Sequence, residues 1–355
     1  MARIDFNRNQ ARGKMGKVYK KLLKDNLLVA LLKFKFLNIA YPLFISWRLT
    51  TRCNLHCANC HVWKISGREL NTSEVCNIID KLYSRGTRYI SFTGGEPLLR
   101  DDIGRILDHS SERGLINSLN TNGILLKDKI DCLRSISRLN LSLDGPEGIN
   151  DALRGKGAFK STITAVEIAK NKNVPVSLTT VISKLNSDFK YIDFLLALAE
   201  DYKIEIGFQP ASLCCLGSRE INHLSPIERT YKEIIAYLIN KKLSGNRFIL
   251  NSIANLKHLY SFPEERKLSC LAGKIMFRME TNGSMYACGW GLNKERQRVR
   301  KLEHLENNSD SEVSQCRSCW THSAVELNLI GSLDVGSFIS AIRRFMGICY
   351  KSCEV

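Results

Sequence analysis

Through the middle of the chain, short apolar segments alternate with longer segments in which apolar residues recur at helical spacing. The short segments end in small polar residues and predict strands, whereas the longer segments predict amphipathic helices. The predicted strands cover residues 43–49, 88–92, 115–119, 139–143, 174–182 and 203–208. The predicted helices cover residues 73–85, 101–113, 127–137, 160–170 and 188–201. Strands that alternate with helices in this way indicate an α/β fold with a parallel sheet and right-handed crossovers.

The composition is that of a globular protein. Hydrophobic residues make up 44% of the 355 residues and charged residues make up 25%, which separates the chain from disordered sequences. A chain of this length accommodates one large α/β domain together with a smaller module.

Positive charge is concentrated near the N-terminus, where residues 1–52 carry +10 of the net charge of +17. Residues 1–42 predict a basic, apolar helix that fits three interpretations: packing on the rest of the fold, contact with an anionic membrane, or nucleic-acid binding. No recognisable nucleic-acid-binding module is present, so nucleic acid is not an expected partner. The longest uncharged run of this N-terminal part, residues 36–47, is interrupted by Pro42 and is too short to span a bilayer.

The thirteen cysteines are clustered at metal-ligand spacings rather than spread as in a small disulfide scaffold, which favours a reducing compartment. The first twenty residues are polar and no cleavage pattern follows the apolar stretch, so no cleavable signal peptide is expected. We therefore expect a cytoplasmic protein, with peripheral contact at the inner membrane face if the basic helix binds anionic lipid.

Three cysteines form a tight C-x3-C-x2-C motif at Cys53, Cys57 and Cys60. A [4Fe–4S] cluster normally takes four thiolates, so three thiolates from one loop leave one iron open to bind a small molecule. Two alternatives remain at this point. One is a structural zinc site with His56 or His61 as a further ligand, and the other is a set of ordinary buried thiols.

Small polar residues follow the second, third and fourth predicted strands, where ligand contacts lie in α/β folds. These residues are Gly94, Gly95, Glu96, Thr121, Asn122, Ser142 and Asp144. Together with the cysteine motif, this ordered set resembles the radical S-adenosylmethionine (SAM) superfamily over roughly residues 43–215. The resemblance implies a partial (β/α)6 barrel and a catalytic [4Fe–4S] cluster on the three cysteines, with SAM bound to the open iron.

The resemblance also implies how the methionine part of SAM is bound. Gly94, Gly95 and Glu96 would lie along it, with Glu96 receiving its ammonium group, and glycine would allow close backbone approach. Many relatives have an aromatic residue just before the third cysteine that packs near adenine, whereas this chain has Asn59.

Other polar residues occupy positions that contact the ribose hydroxyls or the carboxylate of SAM in relatives: Thr121, Asn122, Ser142 and Asp144. Arg154 is a candidate partner for the methionine carboxylate, and the alternative interpretation of Arg154 is a surface ion pair.

A second group of cysteines lies in the C-terminal third, at Cys270, Cys288, Cys316 and Cys319. Four thiolates are enough for a fully ligated auxiliary [4Fe–4S] cluster, and the spacing resembles the SPASM/twitch extension of radical SAM enzymes. The alternative is a four-cysteine zinc ribbon. A full SPASM extension has two further cysteines at positions that here are Val325 and Leu329, so a twitch-like form with one auxiliary cluster is expected.

The resemblance divides the chain into five parts. These are a basic helical segment over 1–42, the core barrel over 43–215, a helical connection over 216–265, the auxiliary-cluster domain over 266–330 and a helical tail over 331–355.

The implied activity is reductive cleavage of SAM to a 5′-deoxyadenosyl radical, which abstracts hydrogen from a substrate that the sequence does not identify. The auxiliary cluster would transfer electrons or bind the substrate. Expected partners are a small-molecule, lipid-like or peptide substrate and a reductant such as flavodoxin or ferredoxin. Alternatives are a peptide-modifying maturase, an RNA-modifying enzyme, and a non-catalytic zinc or iron–sulfur protein.

Overall fold

The structure is a computed structural model that describes residues 42–214, 220–264, 268–288 and 319–331. Residues 1–41, which carry nearly all of the predicted basic helix, lie outside the described residues, as do Cys316 and residues 332–355. Within the described ranges, no helix combines the length and the apolar character needed to cross a membrane.

The centre of the described fold is one sheet of eight strands. They are β1 Phe44–Thr50, β2 Tyr89–Gly94, β3 Ile116–Thr121, β4 Arg138–Ser142, β5 Val176–Ile182, β6 Glu205–Pro210, β7 Met276–Met279 and β8 Met285–Tyr286. Their order is β6-β5-β4-β3-β2-β1-β7-β8. The first six strands pair in parallel, β7 pairs in parallel with the other side of β1, and β8 is antiparallel to β7. The predicted α/β fold is confirmed, and the sheet is open, like that of a partial barrel.

Helices connect the parallel strands and cover one face of the sheet. They are α1 Thr72–Ser84, α2 Ile103–Glu112, α3 Leu126–Lys129, α4 Glu147–Arg154, α5 Ala158–Asn171, α6 Phe189–Asp201, α7 Glu228–Leu243, α8 Ile253–Tyr260 and α9 His322–Gly331. A capping box starts α1, in which the side chains of Asn71 and Glu74 each accept a hydrogen bond from the other residue's backbone N–H. As predicted, α2 is followed by Gly114 in the left-handed region, with φ of 84°.

Two of the helices that connect the six predicted strands differ from the prediction. The helix predicted over 127–137 is a single turn, α3, followed by a 3₁₀ turn over Ile130–Leu133. Ile130 and Leu133 are nevertheless buried, because their apolar spacing suits an α-helix and a 3₁₀ turn equally well. The other helix, α4, was not predicted, since it has only about two turns and contains Gly148, a poor helix former.

The two faces of the sheet differ in polarity. Toward the helices, side chains such as Trp47, Phe92, Leu119, Leu141 and Phe208 form one apolar core with the helices. The alternate positions of the strands form the opposite face, which we call the polar face. Its members include Ser46, Arg48, Ser91, Asn120, Asn140, Ser177 and Arg278.

A chain of hydrogen bonds runs across the polar face through four neighbouring strands. Asn120 Nδ2 donates to Ser91 Oγ at 2.9 Å, and Asn140 Nδ2 donates to Asn120 Oδ1 at 3.1 Å. Ser177 Oγ then donates to Asn140 Oδ1 at 2.8 Å. Parallel sheets usually carry apolar residues on both faces. The polarity of this face therefore suits a polar ligand better than an apolar core.

The edge of β6 is closed by the segment that follows α7. Ile206 N–H donates to Phe248 O at 2.8 Å, and Leu250 N–H donates to Ile206 O at 2.7 Å. Asn251 extends this pairing, because its Oδ1 accepts from Phe208 N–H at 2.8 Å and its Nδ2 donates to Phe208 O at 2.9 Å. The carboxamide thus takes the place of a neighbouring strand, and the edge residue keeps both of its backbone hydrogen bonds.

Helix α9 connects the β6 side of the sheet with the β7 side. At its start, His322 lies against Gly207, where a Cβ would come within 2.8 Å of the imidazole ring, and His322 N–H donates to Gln209 Oε1 at 3.2 Å. Near its end, Asn328 Oδ1 accepts from Leu271 N–H at 2.9 Å, shortly before β7. The C-terminal segment is therefore packed into the same structure as the parallel strands.

The cap on β6 gives a testable prediction. Replacing Asn251 with Ala leaves the buried N–H and C=O of Phe208 unpaired, so we expect the free energy of unfolding to fall by about 2–4 kcal/mol. Urea denaturation of the metal-free protein, followed by circular dichroism, measures this loss.

The matched control is Asn240→Ala on the exposed side of α7, which we expect to change the free energy of unfolding by less than about 0.5 kcal/mol. A loss of the same size in both variants would contradict the proposed role of Asn251.

Candidate active site

The loop that carries the cysteine motif leaves the carboxyl end of β1 and is fastened to the end of α4. Ala58 N–H donates to Leu153 O at 2.9 Å, and Cys57 Sγ donates to Arg154 O at 3.8 Å. Each thiol of the motif is partly buried, and none forms a disulfide. Because α4 was not predicted, this attachment was not expected.

Gly94, Gly95 and Glu96 hold the end of β2 against the start of the cysteine loop. Gly95 N–H donates to Thr50 O at 2.8 Å, and Glu96 N–H donates to Arg52 O at 2.8 Å. A Cβ at Gly94 would lie 2.3 Å from Thr50 O, and a Cβ at Gly95 would lie 2.2 Å from Arg52 O. Only glycine permits this contact. The backbone at Gly94 and Gly95 therefore lies close to the backbone of Thr50 and Arg52.

Glu96 is fully buried, and its carboxylate ties β2 to the end of β3. Oε1 accepts from Leu98 N–H at 2.9 Å and from Thr121 Oγ1 at 2.8 Å, while Oε2 accepts from Asn122 N–H at 2.9 Å. Burial raises the pKa of Glu96, although these hydrogen bonds favour the charged form. Glu96 thus positions Thr121 and Asn122, and its contact with the ammonium group of SAM stays a prediction.

Asn122 links the end of β3 back to the cysteine loop. Its Nδ2 donates to Oδ1 of Asn54 at 2.8 Å, beside Cys53, and its Oδ1 accepts from Ile124 N–H at 3.0 Å. The two asparagines are 68 residues apart in the chain, so no local pattern could reveal their contact. Through Glu96 and Asn122, the ends of β2 and β3 and the cysteine loop form one connected structure.

Asp144 and Arg154 form an ion pair below the cysteine loop. Arg154 Nε lies 2.7 Å from Asp144 Oδ2, and the two side chains are only 14% and 4% exposed. Asp144 Oδ1 also accepts from Val181 N–H at 2.8 Å. The ion pair considered for Arg154 is therefore present but buried instead of lying on the surface. Ser142 ends β4 opposite Thr179, and contacts of all these residues with SAM stay predictions.

The electrostatic environment of the three thiols combines burial with nearby positive charge. Burial raises the pKa of Cys53, Cys57 and Cys60, that of Cys53 to about 11. Arg154 lowers the pKa of Cys57 and Cys60, and Arg48 lowers that of Cys60. Each of the other two thiols raises the pKa of Cys53, so the three lie within electrostatic reach of one another. Metal binding would stabilise such thiols as thiolates, and this donor set fits an iron–sulfur cluster.

The two histidines considered as zinc ligands contact other groups. The ring of His56 packs on Trp63 with centroids 4.2 Å apart, and His61 Nδ1 lies 3.3 Å from Glu220 Oε1. In the part of the chain that the structure describes, no three His, Cys, Asp or Glu side chains group closely enough for one metal ion.

Three of the four C-terminal cysteines lie within the described residues. Cys270 is buried and precedes β7, Cys288 is partly buried and follows β8, and Cys319 is buried and precedes α9. Cys316 lies outside the described residues. Ligation of an auxiliary cluster by this set stays a prediction, whereas the position of Cys270 and Cys288 beside the core sheet is a finding, since β7 pairs with β1 and with β8.

Arg48, Arg278 and Glu280 form a charged group on the polar face that was not predicted. One signal was available, because Arg48 is a charged residue between the apolar residues Trp47 and Leu49 of a strand. The proximity of Arg278 depends on the pairing of β7 with β1, which no local pattern indicates.

Comparison with known proteins finds one matching family and several relatives. Residues 47–195 match the Radical SAM superfamily. The mycofactocin maturase MftC of Mycolicibacterium smegmatis is 27% identical over 71% of this chain and 65% of its own length. The AdoMet-dependent heme synthase of Methanosarcina barkeri is 36% identical over 41% of this chain and 44% of its own length. This chain therefore spans less than two thirds of these relatives.

A solved structure has the same fold. Streptococcus suis SuiB bound to S-adenosylmethionine superimposes with a TM-score of 0.64 and 18% identity, over 84% of this chain and 76% of that chain. The superposition extends beyond residues 47–195, so the likeness in fold includes more of the chain than the family match.

The contact between Gly95 and the backbone of Arg52 leaves no room for a side chain, so adding one methyl group there should disturb the cysteine loop. Gly95→Ala forces the loop away from β2, so we expect a loss of stability of about 1–3 kcal/mol and reduced iron incorporation at the three cysteines. Thermal unfolding of the metal-free protein and an iron assay after reconstitution measure the two effects.

Gly67→Ala is the matched control, because Gly67 is exposed and a Cβ there would meet nothing within 4 Å. If Gly95→Ala took up iron and unfolded like Gly67→Ala, the contact would not hold the loop.

Burial of Cys53 predicts an unusual pH dependence of its reactivity. Its thiol reacts as the thiolate, and with a pKa of about 11 the thiolate fraction rises about tenfold per pH unit from about pH 7 to about pH 10. Alkylation of the metal-free protein with iodoacetamide, followed by peptide mass spectrometry, should show this rise without a plateau.

The same cysteine in urea-unfolded protein is the control, and its rate should level off near the ordinary value of 9.0. A plateau near that pH in the folded protein would contradict the effect of burial.

Proposed function

Because residues 47–195 match the Radical SAM superfamily, we propose that this chain is an enzyme that reductively cleaves SAM at a [4Fe–4S] cluster held by Cys53, Cys57 and Cys60. The observation that carries the proposal is the attachment of the cysteine loop to the ends of β2 and β3 and to α4. This attachment holds three partly buried thiols at the carboxyl ends of the parallel strands, where α/β folds place their ligands.

The chain supplies binding and orientation. Arg154, which is paired with Asp144, favours the thiolate forms of Cys57 and Cys60, whereas Asp144 raises the pKa of Cys57. Gly94 and Gly95 bring the end of β2 under the loop, and their neighbouring backbone would line the methionine part of SAM. When bound, the cluster and SAM supply one-electron cleavage of the SAM C–S bond, which yields a 5′-deoxyadenosyl radical for hydrogen abstraction.

We also propose that the C-terminal cysteines hold one auxiliary [4Fe–4S] cluster. Cys288 follows β8, which pairs with β7 in the same sheet as β1, so the site would lie next to the core. The ligands would be Cys270, Cys288, Cys316 and Cys319. Such a cluster would transfer electrons to or from the substrate or bind it, and flavodoxin or ferredoxin would supply electrons to the protein.

A peptide is the substrate class that we propose first. The relative with the longer match is named a mycofactocin maturase, and one structure of SuiB with the same fold contains its precursor peptide SuiA. The polar face offers hydrogen-bonding groups of the kind that a peptide backbone requires. The expected contact of residues 1–42 with an anionic membrane stays a prediction, since all but one of these residues lie outside the described ranges.

Anaerobic reconstitution tests the activity. After treatment with iron and sulfide, we expect about eight irons per chain, because two cubane clusters hold four each. Dithionite and SAM should then give 5′-deoxyadenosine by liquid chromatography and mass spectrometry. Cys60→Ala should reduce this product to background while keeping the C-terminal irons.

Cys132→Ala, at an exposed cysteine outside both sets, is the control and should match the unmodified protein. Cys319→Ala should lose about four irons and still cleave SAM. Formation of 5′-deoxyadenosine by Cys60→Ala would contradict the core assignment, and bound zinc without cleavage would contradict the enzymatic function.

A further inference from the structure

Two arginines meet on the polar face at the junction of β1 and β7. Arg48 Nη1 lies 2.8 Å from Glu280 Oε2, and Arg278 Nε lies 3.3 Å from Glu280 Oε1. Arg278 also donates to Ser46 Oγ at 3.0 Å, directly across the strand pair. Both guanidinium groups therefore share one carboxylate, and Ser46 adds only a neutral acceptor.

The charge of this group is not balanced. Two guanidinium groups and one carboxylate leave one positive charge, because arginine stays protonated in proteins. In another ion pair of the sheet, Arg138 Nη1 lies 3.2 Å from Glu205 Oε2, so one positive charge faces one negative charge. A buried charge without a partner is unfavourable. The excess charge near Arg48 therefore calls for an anion.

Both arginines are largely buried, which makes an unbalanced positive charge more unfavourable. The side chains of Arg48 and Arg278 are only 10% and 16% exposed. Nε of Arg48 is buried and has no hydrogen-bond partner within the described residues. Burial, followed by the charge of Arg48, lowers the pKa of Arg278 to about 10, whereas Glu280 and Cys288 raise it.

We propose that Arg48 and Arg278 bind a carboxylate group of the substrate. A carboxylate carries one negative charge, which matches the single unbalanced positive charge, and its two oxygens suit the fork of donors on a guanidinium group. A phosphate would bring close to two negative charges and would reverse the imbalance. The structure thus assigns a monoanionic group to this subsite.

The position of the subsite makes it relevant to chemistry. Arg48 lies within electrostatic reach of Cys60, and Arg278 lies within reach of Cys288. A carboxylate between them would anchor the substrate between the two cysteine sets. In calling the anion a substrate group, this inference rests on the proposed function, but the binding of a carboxylate to the two arginines does not.

The test uses acetylglycine, which presents a free carboxylate like that of a peptide C-terminus, and acetylglycinamide as its neutral counterpart. Binding to the reconstituted protein is measured anaerobically by calorimetry without dithionite, so that no turnover is needed. We expect acetylglycine to bind and acetylglycinamide not to bind. Arg278→Gln should raise the Kd about tenfold or more, because a charged hydrogen-bonding group is removed.

Two further variants separate this subsite from a structural role of the same residues. Glu280→Gln removes the competing carboxylate, so it should tighten acetylglycine binding, an effect opposite to that expected from damage to the fold. Arg138→Gln removes an arginine whose charge is already balanced, and it should leave the Kd unchanged.

Unchanged binding in Arg278→Gln, or weaker binding in Glu280→Gln, would overturn the proposal. The proposal would also be overturned if Arg278→Gln altered the midpoint potential of the C-terminal cluster and left acetylglycine binding intact. The arginines would then balance the negative charge of that cluster. Acetylaspartate amide, with its carboxylate on a side chain, distinguishes an acidic side chain from a C-terminus. If the unmodified protein bound acetylglycine but did not cleave SAM, only the proposed function would be contradicted.

Discussion

The candidate site depends on the close approach of two backbone segments at the carboxyl ends of β1 and β2. Gly95 and Glu96 donate their N–H groups to Thr50 and Arg52, immediately before the first cysteine of the motif. The absence of side chains at Gly94 and Gly95 makes this spacing possible. The position of the cysteine loop is therefore set by main-chain hydrogen bonds, which no side-chain motion can alter.

Buried polar groups extend this arrangement from two strands to several. The carboxylate of Glu96 holds the end of β3, and Asn122 at that end contacts the loop through Asn54. On the other side, Asp144 holds Arg154, and the backbone of α4 contacts the loop near Cys57. Within this network, hydrogen bonds stabilise the buried carboxylate of Glu96, and Asp144 pairs with Arg154, because an unpaired buried charge would be unfavourable. For the same reason, the two arginines that share Glu280 indicate a place for a further anion.

The C-terminal segment belongs to this structure rather than to a separate body. β7 extends the sheet next to β1, and α9 contacts both β6 and the residues before β7. Asn251 completes the backbone hydrogen bonds of Phe208, so the β6 edge does not depend on an additional strand there. The polar face lies between these elements, and residues of both segments contribute to it. The functional unit therefore includes the C-terminal residues as well as the six parallel strands.

The sequence alone determined the order of strands and helices, because apolar periodicity reports which residues face the core. It also identified the cysteine motif and the polar residues at the strand ends, since their spacing along the chain carries the chemistry. Its errors were local: α4 is short and contains Gly148, and the apolar spacing of α3 fits two kinds of helix.

Only the tertiary structure decided which of these groups meet. Burial of Glu96 and of the Asp144–Arg154 pair, the contact between Asn54 and Asn122, and the convergence of Arg48 and Arg278 on Glu280 all join residues that are distant in the chain. Such contacts arise from strand order and register, which are set by the packing of the whole sheet. The local sequence determines which chemical groups are present. The packing of the sheet determines which charged groups lie next to one another.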